Sequence, residues 1–292
     1  MSRFEFVHAK AADTSVRRLC RLLRVSPSGY YAWTKRKRSR RDISEERLVT
    51  KMRAIQAQTQ QCYGSPRMYD DLRADNETVG VHRVARLMKK HGLNAIGKKR
   101  YINTTTPSGS REFCPNILNR NFKTEQPNKV WVGDITCIPI YGGFAYLAVL
   151  IDLHSRAVVG WKLKKTLHTD LPLDALKSAI ATRQPHAGFI HHSDRGSQYD
   201  SSEYRRFLRK HGALQSMSRK GNCWDNAVAE SFFASLKKER VRNKTYVTFS
   251  DAYRDVESYI DGFYNPHRRH STIGGISPYK FEAMHRQSKS PN

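Results

Sequence analysis

The chain has 292 residues, with 52 Lys and Arg against 26 Asp and Glu, a formal net charge of +26 at neutral pH and 38% hydrophobic residues. At roughly 150 residues per domain, that length allows about two domains and at least one sizeable core, and the hydrophobic share excludes a wholly disordered chain. No run of about 18 apolar residues occurs, which excludes a membrane-spanning helix, and the opening MSRFEFVHAK lacks the apolar segment of a secretory signal.

Five cysteines (Cys20, Cys62, Cys114, Cys137, Cys223) are scattered and never form a CxxC pair, so neither a disulfide framework nor a zinc site follows. The expectation is a soluble, reduced, intracellular protein. The positive charge lies in both halves: 27 basic against 11 acidic residues through position 125, then 25 against 15. A basic tail on a neutral enzyme is therefore excluded. The commonest partner of such a field is nucleic acid; an acidic protein or an anionic membrane surface is the alternative.

From Ser15 to Trp33 the residues Val16, Leu19, Cys20, Leu22 and Leu23 keep helical spacing. Ser26-Pro27-Ser28-Gly29 interrupts it before Tyr30, Tyr31 and Trp33, the outline of a helix-turn-helix. Lys35, Arg36, Lys37 and Arg38 open a basic run through Arg41 that reads either as a solvated linker or as phosphate contacts. A second unit follows: a helix over Leu48 to Ala57, another starting at Pro66 with Met68 and Leu72 one turn apart, a polar turn at 75–78, and a stripe of Val81, Val84, Leu87 and Met88. Arg83, Arg86, Lys89 and Lys90 flank that stripe, as in a recognition helix that meets DNA; a helical bundle with a solvated basic face would show the same pattern. Between Gly97 and Asn128 periodicity disappears.

The composition changes at Val130. Strands are predicted over Val130–Ile140, Phe144–Ile151 and Ala157–Lys162, then a helix over Thr169–Thr182, a strand over Gly188–His192 and a helix over Ser202–His211. A hairpin meander followed by alternating helices and strands indicates an α/β sheet of ribonuclease-H-like layout. The predicted domains are 1–41, a helix-turn-helix with a basic linker; 42–97, a second helix-turn-helix-like domain; 98–122, a linker; and 123–285, the catalytic core with C-terminal helices.

Asp134 interrupts a buried-looking strand, and an isolated buried carboxylate is costly unless paired or bound to metal. Asp194 follows a strand, where α/β sheets commonly carry catalytic groups, and Glu230 falls in the first turns of a helix capped by Asp225 or Asn226. Three converging carboxylates can hold two divalent ions about 3.5–4 Å apart, and their hard oxygens select Mg²⁺ or Mn²⁺ over zinc. Taken singly, Asp134 also reads as a satisfied core carboxylate and Glu230 as a solvated helix residue. Asp152, in a strand as well, is a rival ligand that spacing cannot exclude.

The segments Trp131-Val132-Gly133-Asp134-Ile135-Thr136, His192 to Tyr199 and Asp225 to Phe233 resemble the signature of the DDE integrase core, with 35 residues between Asp194 and Glu230. The chain is similar along nearly its whole length to OrfB-type transposases of two-frame bacterial insertion sequences. Arg18 to Trp33, Tyr63-Gly64-Ser65-Pro66-Arg67 and Tyr264 to Ser271 share in the likeness. The resemblance implies an integrase-like α/β core behind an all-α helix-turn-helix region. It makes Asp134, Asp194 and Glu230 the catalytic and metal-binding residues, with two Mg²⁺ or Mn²⁺, and makes Asp152 structural.

It also implies cleavage and joining of DNA at the element's ends. Its partners would be terminal repeats, target DNA, further copies of the chain, and an upstream-frame product supplied by frameshifting, since no heptads occur at the start. It places the protein with the bacterial nucleoid in the cytoplasm. Lys237, two turns after Glu230, is read as a DNA contact near the scissile phosphate, His192 and Arg195 as orienting groups, and Arg268-Arg269-His270 as another phosphate contact. Trp131, Tyr146 and Trp161 are read as core. A nuclease that cuts without joining, and a non-catalytic DNA-binding regulator or decayed copy, are the competing functions.

Overall fold

A computed structural model describes residues 2–35, 39–95, 114–219 and 223–289. Arg36, Lys37 and Arg38 lie outside the described residues, as do positions 96–113. The chain divides into two compact units, 1–53 and 54–292.

The first unit is helical. In α1 (Arg3–Lys10) the Ser2 hydroxyl accepts the Glu5 backbone N–H while the Glu5 carboxylate accepts that of Ser2, closing a capping box. α2 (Val16–Leu22) and α3 (Pro27–Thr34) follow, the latter with Ser26 as cap and Pro27 in its first turn. Val7, Leu19, Cys20 and Tyr30 form the core, with Phe4 and Trp33 against it. The α2–α3 pair matches expectation, whereas α1 does not appear in the periodicity because only Val7 of its eight residues is fully buried. α4 (Arg40–Gln58) begins earlier than its apolar stripe, which starts near Leu48.

The second unit contains α5 (Ser65–Ala74) and α6 (Val81–Lys90), packed on each other through Met68, Leu72, Val84, Leu87 and Met88, all buried. Its centre is a five-stranded sheet in the order β3-β2-β1-β4-β5. β1 (Val130–Ile140), β2 (Gly143–Asp152) and β3 (Val158–Lys164) make an antiparallel meander; β4 (Ile190–Ser193) and β5 (Leu214–Met217) run parallel to β1. β5 escapes sequence inspection because Leu-Gln-Ser-Met has neither alternation nor an apolar run.

Helices α7 (Asp170–Arg183) and α8 (Ser202–Lys210) join strand residues such as Trp131, Leu150 and Val159 in one core. α9 (Ala227–Glu239) packs on β1 and β2, and α10 (Phe249–Tyr259) on β1. After a π-helical turn over Ile260–Tyr264 the chain ends in α11 (Pro278–Lys289).

Residues 114–122, predicted as the end of a linker, lie against β5: the Ser216 hydroxyl accepts the backbone N–H groups of Ile117 and Leu118. Trp131 is fully buried against Phe189, while Trp161 is half-buried and donates to Asp261.

Helix α7 approaches β3 at Gly160, where a Cβ would lie 2.5 Å from the Ala175 carbonyl oxygen and 2.7 Å from the Ala179 Cβ. Both neighbours sit on a packed helix and cannot swing aside. Gly160→Ala is expected to destabilise the core by about 1–3 kcal/mol through overpacking, read as a lowered midpoint in urea with an unchanged slope.

Candidate active site

β1 carries Asp134 at its middle. Strand alternation sets Asp134 on the face opposite Trp131, together with the buried Val132 and Ile138. β4 pairs with β1 in parallel, Val130 with Ile190 and Val132 with His192. The chain leaves β4 two residues later at Asp194, whose charge acts on the Asp134 carboxyl. Glu230 projects from the first turn of α9, whose start is tied to the sheet by the Asn226 side-chain amide donating to the Gly133 carbonyl.

The three carboxylates share one electrostatic neighbourhood. Burial, then the charge of Asp194, pushes the Asp134 carboxyl well above its ordinary range; Glu230 raises it further, while the Ile135 N–H and Lys237 pull it down. Desolvation by the surrounding protein also raises Asp194, opposed by the Gly196 N–H, and raises Glu230, although both residues keep an exposed side. The hydrogen bonds found are local: Asp134 accepts from Ile135 N–H at 2.8 Å and Asp194 from Gly196 N–H at 2.9 Å.

Among the described residues no three His, Cys, Asp or Glu side chains are gathered closely enough to hold an ion. The triad thus stands as adjacent carboxylates rather than a closed cage. The chemistry of these donors still fits a hard divalent cation: all three are carboxylates, and the repulsion that Asp194 and Glu230 exert on Asp134 is what such a charge relieves.

Asp152 differs. It is fully buried, and its two oxygens accept the backbone N–H groups of Asn128 at 2.7 Å and His154 at 2.8 Å. Asp225 is buried too, accepting from Arg219, Arg120 and Asn116. It therefore anchors the segment before α9, while Asn226 occupies the cap position, without a side-chain cap bond. His192 does not face a phosphate: its ring nitrogens bond the Ser216 and Ser218 hydroxyls, and burial lowers it to about 4, so it is neutral at pH 7. Arg195 donates from Nε to the Ser218 carbonyl at 2.7 Å. Lys237 is half-buried within reach of the Asp134 charge.

Tyr199 had no role assigned from sequence. Its ring lies with that of His191 over Gly133, where a Cβ would meet His191 Nε2 at 3.0 Å and Tyr199 Cε1 at 3.5 Å, and it reaches Gly196, where a Cβ would meet its Cδ2 at 3.5 Å. It therefore wedges β1 at the neighbour of Asp134 against the loop of Asp194. No periodicity marks such a wedge; the only trace is its place in the His192-to-Tyr199 block.

The basic candidates on the helical regions are dispersed. Lys35 is exposed at the end of α3, in the first unit. Lys89 and Lys90 are exposed in the last turn of α6, and Arg83 is half-buried on the same helix. Arg268 and Arg269 correct an expectation. Arg268 is buried and forked onto Glu239, and Arg269 pairs with Asp71 and donates to the Gly275 carbonyl, so both face protein rather than phosphate.

A family model described as Integrase core domain matches residues 124–223, a second of the same description matches 211–278, and one described as HTH-like domain matches 44–101. The chain is 38% identical over 269 residues to the insertion element IS600 uncharacterized 31 kDa protein of Shigella sonnei, covering 92% of this chain and 99% of that one. It is 37% identical over 282 residues to the transposase InsF for insertion sequence IS3A of Escherichia coli (strain K12), covering 96% and 98%. Among solved structures, the HTLV-2 integrase catalytic core domain in complex with magnesium matches 54% of this chain and 97% of that one at 17% identity, with a TM-score of 0.42. That likeness is too distant to carry an argument.

Proposed function

Because the chain belongs to the InsF-type transposase family of insertion sequences, we propose that Asp134, Asp194 and Glu230 form its catalytic, metal-binding triad. The activity that follows from membership is DNA transposition by a polynucleotidyl transferase with an integrase core. The observation that supports the assignment is the parallel register of β1 and β4, which leads Asp134 and Asp194 to the same end of the sheet, where Asp194, Glu230 and Lys237 all act on the Asp134 carboxyl.

Asp134 on β1, Asp194 in the loop just after β4 and Glu230 on α9 would offer oxygen ligands to two Mg²⁺ or Mn²⁺ ions. When bound, divalent metal activates water or a 3′-hydroxyl for in-line attack and stabilises the leaving 3′ oxygen. Lys237 is set to meet a phosphate next to the scissile bond, and Tyr199 holds the two aspartate backbones at a constant separation. Arg195, tied to the Ser218 carbonyl, stiffens the loop after Asp194.

DNA is the substrate, and two ends must be joined, so several copies of the chain are proposed to act together. The upstream-frame product would supply further recognition of the terminal repeats. Among the described residues no helix is long and apolar enough to cross a membrane; we place the enzyme with the bacterial nucleoid in the cytoplasm, where its substrate lies.

The test is a strand-cleavage and strand-transfer assay on labelled duplexes from the ends of the element, comparing Mg²⁺ with EDTA. Metal-dependent joining supports the reading; cleavage without joining supports a nuclease; binding without chemistry, even with the upstream product added, supports a regulator. On α6, Lys89 and Lys90 are expected to contact phosphates. Replacing both by Gln should weaken binding alike for all sequences and reduce the slope of log affinity against log salt by about 2, near 0.9 per contact.

A further inference from the structure

Two sequence blocks of the family likeness have no part in the chemistry above: Tyr63 to Arg67, before and within α5, and Tyr264 to Ser271, after α10. They lie some 200 positions apart in the chain and meet in space. The Tyr63 hydroxyl donates to the His267 carbonyl and accepts the Arg269 N–H, each at 3.1 Å, making a two-way bond between the blocks. Further along, on α5, Asp71 pairs with Arg269. Arg67 lies over the Tyr63 ring and reaches Glu239 at 3.5 Å.

The second block is itself bolted to the catalytic sheet. Asn265 acts as a strand residue would, accepting the Val158 N–H at 2.9 Å and donating to the Val158 carbonyl at 3.0 Å on β3. Glu239 is at the far end of α9, the helix that starts with Glu230. One route therefore runs from α6 through α5 to β3 and another from α5 through Arg67 to α9.

We propose that these two blocks form a rigid joint that fixes the basic helix α6 relative to the catalytic carboxylates, so that the DNA held by α6 determines which phosphate is presented to them. This rests on the transposase reading of both sites. Tyr63, Arg67, Asp71 and Arg269 are positioning residues, none of which touches the reacting atoms. Hydrogen-bonded polar pairs suit such a joint better than apolar contact, because each has one geometry and register.

The experiment reports the position of the core on DNA without using catalysis. In a chain with Cys114 and Cys223 replaced by Ser, an iron chelate that generates hydroxyl radicals is attached to Cys137, exposed on β1 three residues past Asp134. The probe DNA is a labelled duplex from the sequence flanking the gene. The parent chain is expected to scar a window narrower than about one helical turn of 10 base pairs.

With Tyr63→Phe, Arg67→Gln and Asp71→Asn combined, the window should spread beyond one turn, while affinity changes by about twofold, because none of the three side chains lies on the basic face of α6. Asp71→Asn alone should widen it less. Exchanging the charges, Asp71→Arg with Arg269→Asp, should narrow it again relative to Asp71→Arg. If the triple variant does not fold, the exchange series decides. A window that stays narrow in the variants, or is broad in the parent, overturns the joint. Metal-dependent cutting by the untethered parent, run alongside, separately tests the triad, so failure of one reading is distinguishable from failure of the other.

Discussion

Asp134→Asn is expected to abolish metal-dependent strand transfer while leaving the protein at least as stable as the parent. The first half follows from the metal's task. A bound divalent ion contributes several kcal/mol of transition-state stabilisation, and at 1.36 kcal/mol per tenfold its loss lowers the rate by about a thousandfold or more. Glu230→Gln should give a loss of the same order. The second half follows from the charge environment. Asp134 is held next to Asp194 and Glu230, and both burial and those neighbours disfavour its ionised form.

An amide of the same shape removes that repulsion, so the thermal midpoint should stay level or rise. Asp152→Asn gives the contrast. Its two oxygens each accept a backbone N–H group deep in the core, and an amide keeps only one acceptor oxygen, which leaves one buried N–H without a partner at a cost of about 1–3 kcal/mol. That variant should lose stability. Paired measurements of transfer rate and melting temperature therefore separate a carboxylate kept for chemistry from one kept for structure. If Asp134→Asn instead behaved as Asp152→Asn, with a lowered midpoint and activity falling in step, the triad assignment would be wrong.

Most of the catalytic half was legible because its signals are local. The apolar runs that became β1, β2 and β3 are long, and only Tyr141 and Gly142 separate β1 from β2. Asp134 stood out because it is charged where its neighbours are not. Glu230, by contrast, is exposed and lies on an ordinary helix, so only the resemblance of the surrounding block singled it out.

The illegible parts are those decided by contacts between distant residues. β5 is a strand because it pairs with β4, from Ile190 with Leu214 to Ser193 with Met217, not because its four residues favour extended structure. The basic run Arg268-Arg269 looks from composition like a phosphate site. What turns it inward is Glu239 and Asp71, one on α9 and the other on α5. Charge alone cannot reveal such partners, which is also why Asp225 reads as a cap and is in fact an anchor for Arg219 and Arg120.

Glu239→Ala should be among the most damaging single substitutions away from the triad. Glu239 and Arg268 are both almost fully buried, and the carboxylate also accepts the Tyr259 hydroxyl at 2.7 Å. Removing one partner strands the guanidinium in the interior at a cost of about 3–5 kcal/mol. Arg268→Ala should cost a similar amount, and the double variant clearly less than the sum, since neither charge is then left unpaired.

The pair also sets a pH dependence. Burial pushes the Glu239 carboxyl up, but the bonds and charge of Arg268 outweigh it, so the group titrates below its ordinary value. A folded-state value below the unfolded one means that the unfolded chain takes up the proton first. The contribution is therefore complete above the ordinary glutamate range near 4.3 and is lost as pH falls through that range and below it. Urea midpoints measured at descending pH should fall more steeply for the parent than for Glu239→Gln, the two curves converging on the acid side. Parallel curves would mean that Glu239 titrates alike in the folded and unfolded chains, so that Arg268 does not hold its carboxylate in the ionised form.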